Sequence, residues 1–260
     1  MSYMLLVCND GLEASEVEEA LVGDSMGDHI AATDGTSIFG HPLQPQVTAK
    51  TVRVRDGQTL VTDGPFVDTK EYIAGFDLLD CDSRERAVAL AATHPLAWFN
   101  KIEVRPLAED DAWTAEVRAR LDDGPEPGKE RYMLMICSDG IPSEAKRDAM
   151  RRELPTWIER VTASGQRVVG CTLEAPDAGV MVRVRGPHTL TSTEPFAVGA
   201  DEFVAGFNIV DCADVEEAVE LAAAHPVAKF HVIEVRPFTP GMCGEPIEAV
   251  DTAQASALSA

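Results

Sequence analysis

The sequence predicts an α+β protein made of two tandem copies of one small domain. The string YMLLVCNDG at 3–11 returns as YMLMICSDG at 132–140. Likewise, AGFDLLDC at 74–81 returns as AGFNIVDC at 205–212. The repeat of about 107 residues is too long for a solenoid unit and matches a small domain. Each copy also mixes strand-like and helix-like patterns, which indicates the α+β class.

The copies divide the chain into four parts. The first domain is predicted at 1–107 and the second at 132–238. Between them, 108–131 contains the polar string DDGPEPGKE, which is typical of a linker. The polar, alanine-rich residues 239–260 are predicted to form a flexible tail.

The elements of the first half of each copy follow from local patterns. Tyr3–Cys8 is a short apolar run that predicts a strand, and a helical segment follows up to Gly35. In the second copy this helix is predicted from the Ser143 cap to Gly165. There the apolar side chains recur at i, i+3, i+4 and i+7, which predicts a buried stripe: Leu154, Trp157, Ile158 and Val161. A strand is predicted at 36–40.

The second half of each copy begins with a hairpin. Strands at 51–55 and 58–62 are joined by Asp56-Gly57, a favoured hairpin dipeptide. A strand at 71–79, a helix at 83–93 and a strand at 102–105 complete the copy. Without the hairpin, the order is β-α-β-β-α-β, which is the ferredoxin-like order.

Charge and composition exclude several classes of partner. The 260 residues carry 22 Lys+Arg against 44 Asp+Glu, a formal net charge of −22. Nucleic acids and anionic membranes need clustered basic residues, so neither is an expected partner. The chain has no apolar run of the roughly 18 residues that a membrane span needs, and its start lacks a basic signal region. We therefore expect a cytoplasmic protein whose six cysteines are reduced.

The most specific string is TDGPFVDTKE at 62–71. Together with VRVR at 52–55 and the terminal EVRP, it resembles the YCII-related family, in particular the DGPF branch. The resemblance implies a ferredoxin-like fold whose sheets pair in dimers of the α+β barrel type. A tandem copy would supply both halves as an intrachain pseudo-dimer, and a further homodimer stays open. The resemblance implies that relatives of the fold include isomerases, dehalogenating lyases and monooxygenases of small molecules. We therefore expect a small-molecule ligand, and we expect no cofactor.

The signature string supplies the first candidate site residues. Asp63 or Glu71 would move a proton as general acid or base, and Lys70 would hold an anion. The alternative is structural, because Asp63-Gly64-Pro65 also has the composition of a turn. Lys70 and Glu71 are adjacent on a predicted strand, so they are expected to point to opposite faces. The remaining substrate-binding candidates of the string are Phe66, Asp68 and Thr69.

The second copy has lost most of these polar residues. Thr193 stands where the first copy has Asp63, and Asp201 stands where it has Lys70. Only the glutamate is kept, because Glu202 aligns with Glu71. A retained framework with lost polar groups predicts one working site and one scaffold copy. Neutral divergence of a turn is the alternative.

A histidine follows the second helix of each copy. His94 and His225 each extend the buried stripe of that helix and precede a proline. His94 is a candidate for proton transfer, with His225 as its scaffold counterpart. Alternatively, both histidines satisfy backbone groups at the helix end. His29 occurs only in the first copy and receives no role from the resemblance.

Paired arginines are the last candidates. Arg53 and Arg55 share one face of a strand, as do Arg183 and Arg185. They would either clamp an anionic substrate or form a solvated hairpin face. Metal-ligand spacings such as HxxxH and HxH are missing from the sequence, so no metal site is expected.

Two functions remain as hypotheses. The first is cofactor-independent acid–base isomerisation, cyclisation or elimination of a small acidic metabolite, with Asp63, Glu71 and His94 as the catalytic residues. The second is a non-catalytic ligand-binding or regulatory module, which the resemblance links to alternative sigma factors through gene neighbourhood.

Overall fold

The computed structural model describes residues 1–9, 25–66, 72–108, 117, 120–121, 124–138, 143–193 and 203–241. None of the helices within these ranges is long and apolar enough to cross a membrane. The five cysteines in the described ranges are buried thiols.

Each repeat contributes six strands and two helices to the described ranges. The elements of the first repeat are β1 (Ser2–Asn9), α1 (25–32), β2 (Ser37–Pro42), β3 (Lys50–Arg55), β4 (Gln58–Asp63), β5 (Tyr72–Asp80), α2 (Arg84–Thr93) and β6 (Lys101–Pro106). Those of the second repeat are β7 (Glu130–Ser138), α3 (Glu144–Ala163), β8 (Arg167–Thr172), β9 (Val180–Arg185), β10 (His188–Ser192), β11 (Phe203–Cys212), α4 (Val215–Ala224) and β12 (Val232–Pro237).

The strands form two antiparallel sheets of six strands each within the described ranges. The first sheet has the order β10-β9-β6-β1-β5-β2, and the second has the order β4-β3-β12-β7-β11-β8. Four adjacent strands of each sheet come from one repeat, and the two strands at one edge are the hairpin of the other repeat. The repeats therefore exchange their hairpins.

The exchange is anchored by matching strand pairs. Val52 of β3 lies opposite Ile233 of β12, and Val182 of β9 lies opposite Ile102 of β6. The hairpin of β3 and β4 turns at Asp56 and Gly57, whose φ angles are 52° and 75°. Positive φ at both central residues gives the twist that a two-residue hairpin needs.

The layers stack as helices, sheet, sheet and helices. Successive residues of a strand point to opposite faces, so β1 contributes to two cores. Met4 and Leu6 join the apolar core between the two sheets, whereas Leu5 packs with α2 on the outer face. In the core between the sheets, the rings of Phe76 and Phe207 lie 6.5 Å apart.

Buried ion pairs hold the two repeats together. Arg236, which is 1% exposed, pairs with Glu234 and donates to the backbone oxygens of Gln44 and Ile73. The carboxylate of Glu234 also accepts the backbone N–H of Phe66 at 3.0 Å. The terminal strand of the second repeat, β12, therefore binds two parts of the first repeat. One is the turn at residues 63–66 of the signature string, which we call the signature turn, and the other is the start of β5. Arg105 and Glu103 form the corresponding pair of the first repeat and reach the second.

The sequence-based fold class is confirmed at the level of tandem α+β repeats. The strands predicted at 3–8, 51–55, 58–62 and 102–105 are observed one or two residues longer, β2 lies one to two residues later than predicted, and β5 continues to Asp80. Ser83 caps α2 by accepting the N–H of Arg86. Hairpin exchange was not predicted, because the VRVR strings that pair across the repeats are the same in both copies.

Candidate functional site

Three polar side chains of the first repeat meet where α1 and α2 pack on the first sheet. They are His29 of α1, Asp77 of β5 and His94 at the end of α2. One ligand-type atom from each residue lies within 4.8 Å of the other two. His29 and His94 are 4% and 5% exposed, and the side chain of Asp77 is 20% exposed. We call these three residues the His–Asp–His cluster.

Asp77 lies on the side of β5 that faces the helices. It is opposite Gly40 of the edge strand β2, and a Cβ atom at Gly40 would lie 2.1 Å from Asp77 Oδ1. Gly40 is therefore the residue that leaves room for the carboxylate. Oδ2 of Asp77 is buried and has no hydrogen-bond partner among the described residues.

His94 occupies the junction between α2 and the short 3-10 turn Pro95–Trp98. Its Nδ1 accepts the backbone N–H of Leu96 at 3.1 Å. In the neutral ring the hydrogen therefore resides on Nε2. Nε2 lies 3.7 Å from Oδ2 of Asp77, beyond hydrogen-bond distance.

His29 has the opposite tautomer. Its Nδ1 lies 2.9 Å from the hydroxyl of Thr93, and this hydroxyl donates its one hydrogen to the backbone oxygen of Leu90. Nδ1 of His29 must therefore be the donor, which leaves the lone pair on Nε2. The rings of His29 and His94 meet edge to face with centroids 4.7 Å apart. The cluster thus combines one N–H donor, one acceptor nitrogen and one carboxyl group.

Burial shifts the pKa of each of the three groups in the direction that favours its neutral form. It lowers the pKa of His29 to about 4. Burial, followed by the neighbouring His29, lowers the pKa of His94 to about 3. Burial raises the pKa of Asp77 to about 7. Both imidazoles are therefore neutral near pH 7, where Asp77 exchanges its proton.

The donor set fits a metal ion poorly. A ligating histidine coordinates through a lone pair and donates its other ring N–H to a neighbouring acceptor. His29 meets this condition, because it donates to Thr93. His94 does not, because its Nδ1 already accepts the N–H of Leu96 and its Nε2 carries the hydrogen. The arrangement suits proton transfer better than metal coordination.

The second repeat keeps only one member of the cluster. His225 corresponds to His94, and its Nδ1 likewise accepts the backbone N–H of Val227. However, the ring that packs edge to face against His225 is Trp157, and Asn208 corresponds to Asp77. Nε2 of His225 is buried without a hydrogen-bond partner among the described residues. Backbone capping explains the histidine in both repeats, whereas the full cluster belongs to the first.

The predicted catalytic residues do not all meet in this cluster. His94 is part of it. Asp63 lies at the exposed end of β4, in the second sheet, where it pairs with Lys50. The other polar residues of the signature string and its counterpart lie outside the described ranges: Asp68, Thr69, Lys70, Glu71 and Glu202. Phe66 is partly buried against the core between the sheets.

The arginines of the hairpins contact protein groups. Arg55 donates to the backbone oxygen of Ala228 at 2.9 Å, and Arg185 donates to that of Trp98. The guanidinium of Arg53 lies 5.6 Å from the ring centroid of Phe66. Arg183 is partly buried on β9. Arg55 and Arg185 therefore fasten each hairpin to the other repeat.

Sequence reasoning missed Asp77 and assigned no role to His29. A signal for Asp77 was present, because it is a carboxylate within the apolar strand AGFDLLDC that becomes asparagine in the second copy. The proximity of His29 could not be derived, because it depends on how α1 packs against α2.

These features define a class: a duplicated α+β protein with a His–Asp–His cluster in one repeat. The model of the YCII-related domain matches residues 1–110 and 131–240, so the chain belongs to the YCII-related family. An uncharacterised protein of Rhizobium meliloti (strain 1021) is 43% identical over 68 residues, which cover 25% of this chain and 55% of that protein. The match thus spans about half the length of this curated relative.

Proposed function

We propose that the first repeat catalyses proton transfer on a small molecule, with Asp77 as the general base and acid. The observation that carries this proposal is the buried Oδ2 of Asp77, which lacks a hydrogen-bond partner among the described residues. Buried polar atoms are nearly always satisfied, so an unsatisfied carboxylate oxygen indicates a position that substrate or water fills. Its pKa of about 7 also suits a group that takes and returns a proton near neutral pH.

The two histidines would divide the remaining work. The Nε2–H of His94 would donate to a substrate oxygen on which negative charge develops. The Nε2 lone pair of His29 would accept a hydrogen bond from a substrate hydroxyl. Because both rings have pKa values near 3 to 4, they act as neutral donor and acceptor near pH 7.

The reaction class follows from these roles. Asp77 removes a proton from carbon, and the C–H electron pair forms a carbon–carbon double bond while the carbonyl electrons move to oxygen. The protonated Asp77 then returns the proton to oxygen or to another carbon. This sequence is an isomerisation, and elimination or cyclisation starts from the same enolate. It needs no oxidant, reductant or cofactor.

The second repeat is the scaffold in this proposal. Its replacements of the cluster residues, Trp157 and Asn208, support one working site per chain. The strand order of each sheet and the exchanged hairpins support an intrachain pseudo-dimer of ferredoxin-like domains of the α+β barrel type. Asp77 takes the role that the sequence suggested for Asp63. Asp68, Thr69, Lys70 and Glu71 remain candidates for substrate contact.

The test is deuterium incorporation from D2O into a small-molecule extract, followed by mass spectrometry. Wild-type protein is expected to label at least one metabolite at carbon, at a rate that rises with pH around 7 as Asp77 ionises. Asp77→Asn reproduces the residue of the second repeat and is expected to lower this rate at least a hundredfold. Asn208→Ala is the matched control and should keep it. Labelling that survives Asp77→Asn, or no labelling by wild type, would favour a non-catalytic binding module.

A further inference from the structure

We propose that the His–Asp–His cluster acts on an uncharged molecule with an enolisable carbonyl group, and not on a carboxylate. This inference rests on the proposed acid–base function and adds the substrate class. It follows from the charges around Asp77, from the comparison with the twin site, and from the hydrogen-bonding groups that the cluster presents.

Most of the described elements around the cluster carry no lysine or arginine, and the arginines that lie on or reach these elements, Arg84, Arg86 and Arg185, donate to backbone oxygens. The described residues of α1, all of β2 and β5, and the turn Pro95–Trp98 contain neither lysine nor arginine. The basic residues of α2, Arg84 and Arg86, lie in its first turn, about 15 Å and about 12 Å along the helix axis from His94. They donate to the backbone oxygens of Gly179 and Ala32.

A carboxylate substrate would therefore place a second negative charge beside Asp77 without a compensating cation from these elements. Like charges in a buried site repel each other strongly, and burial removes the water that would screen them. The substrate would also have to bind while Asp77 is ionised, because the ionised form is the base. An uncharged substrate avoids both costs.

The twin site, by which we mean the residues around Asn208 and His225 of the second repeat, has a cation that the first repeat lacks. Arg167 of β8 donates through Nε to Oδ1 of Asn208 at 3.2 Å. By strand register, the residue at this position in β2 is Ser37, which is exposed. At these two positions the first repeat has a carboxylate and a serine, whereas the second has a neutral amide and an arginine that donates to it. A cation beside residue 77 is compatible with the fold and is missing from the repeat that carries the cluster.

The hydrogen-bonding groups specify the carbonyl. The Nε2–H of His94 needs an acceptor, and the nearest carboxylate oxygen is 3.7 Å away, beyond good hydrogen-bond distance. A ketone, aldehyde or ester oxygen fills this need without bringing charge. The adjacent C–H then lies beside Oδ2 of Asp77, which removes the proton and returns it as described above. Electrons and protons balance within the substrate and Asp77.

The experiment compares two probes that differ in charge and share one ketone. Methyl 4-oxopentanoate is uncharged, and 4-oxopentanoate is its carboxylate. Exchange of their carbon-bound hydrogens in D2O is followed by proton NMR with the full chain at pH 7.5. We expect exchange of the ester at least tenfold faster than that of the acid, and loss of exchange in Asp77→Asn.

A second variant tests the charge argument directly. Ser37→Arg places at β2 the cation that Arg167 places at β8, so the preference for the ester is expected to fall at least fivefold. Circular dichroism and Tm verify that the variant is folded. Wild-type exchange that depends on Asp77 but is as fast with the acid would overturn the inference and keep the proposed function. If neither probe shows exchange that depends on Asp77, both the inference and the proposed function are overturned.

Discussion

Asp77 is a carboxyl group in surroundings that supply little of the hydrogen bonding and positive charge that a carboxylate needs. A buried carboxylate is normally paired with a cation or with several N–H donors. Here Gly40 makes room for one oxygen, and the other has no hydrogen-bond partner among the described residues. Such an arrangement costs stability and is typical of a site that uses the group. His94 and His29 each have a defined tautomer through their contacts with Leu96 and Thr93, so the unsatisfied group of the cluster is the carboxyl group of Asp77.

The cost of Asp77 gives a pH-dependent prediction. Its pKa rises from 3.8 to about 7 on folding, so between these pH values the unfolded chain releases a proton that the folded chain keeps. Relative to a variant that lacks this carboxyl group, the free energy of unfolding of wild type therefore falls as pH increases from 4 to 8. Asp77→Asn has no such penalty and should be more stable than wild type at pH 8 by about 4 kcal/mol, but not at pH 4. Urea unfolding at both pH values measures the difference.

The second repeat offers the matched control for that prediction. Asn208→Asp places a carboxylate beside Arg167, which favours the charged form. This variant should not lose stability relative to wild type as pH increases from 4 to 8. An equal loss in both repeats would mean that the surroundings of Asp77 are not what raises its pKa. The histidines do not disturb either comparison, because they are the same in all three proteins.

At the scale of elements, local patterns predicted what short-range contacts determine. The stripe of Trp157 and Val161 predicted α3, and both residues are buried on it. Asp56-Gly57 predicted the hairpin turn, and its φ angles match. The site needed more than such patterns, because His29, Asp77 and His94 are separated by 48 and 17 residues and meet only through packing. Only the loss of Asp77 in the second copy could have marked it.

The signature turn depends on a strand of the other repeat. Glu234 of β12 accepts the N–H of Phe66 and pairs with Arg236, which in turn holds the backbone of Ile73. One buried ion pair thus fixes the points at which the chain leaves the second sheet and enters β5. This contact gives the DGPF string a structural role in addition to any contact with substrate.

Loss of the Glu234–Arg236 ion pair is therefore expected to lower the free energy of unfolding strongly. Glu234→Gln leaves the guanidinium of Arg236 buried without its carboxylate, which should lower the free energy of unfolding by about 3–5 kcal/mol. Glu153→Gln removes an exposed carboxylate that pairs with Lys229 and should cost less than about 1 kcal/mol. Urea denaturation at pH 7 measures both. Similar small losses in the two variants would show that the buried pair does not hold the turn.

At the scale of the whole molecule, the duplication separates two tasks that one short domain would have to combine. The second repeat supplies β9 and β10 to the sheet that carries Asp77, and it supplies the ion pair that binds the signature turn. Both contributions require its strands and not its cluster. Trp157 and Asn208, which stand where the first repeat has His29 and Asp77, take no part in these two contributions, as expected if the second repeat is the scaffold of the proposed function.

The exchange of hairpins leads to a prediction about the separated repeats. Residues 1–110 alone would leave β3 without β12, so Val52, which is buried in the intact chain, would be exposed. In the intact protein β3 pairs with IEVRP of the second repeat, and the first repeat carries the same string in β6. Two copies of residues 1–110 can therefore exchange hairpins with each other, and we expect a homodimer that contains two His–Asp–His clusters.

Sedimentation equilibrium and the exchange assay test this dimer together. The mass should be that of two chains over the micromolar range, and activity per chain should match that of the intact protein, because every dimer half keeps its own Asp77. The variant Val52→Asp places a charge in the exchanged strand pair and should yield unfolded monomer. A folded, active monomer of residues 1–110 would show that the hairpin can close on its own sheet. The second repeat would then not be needed to complete the site.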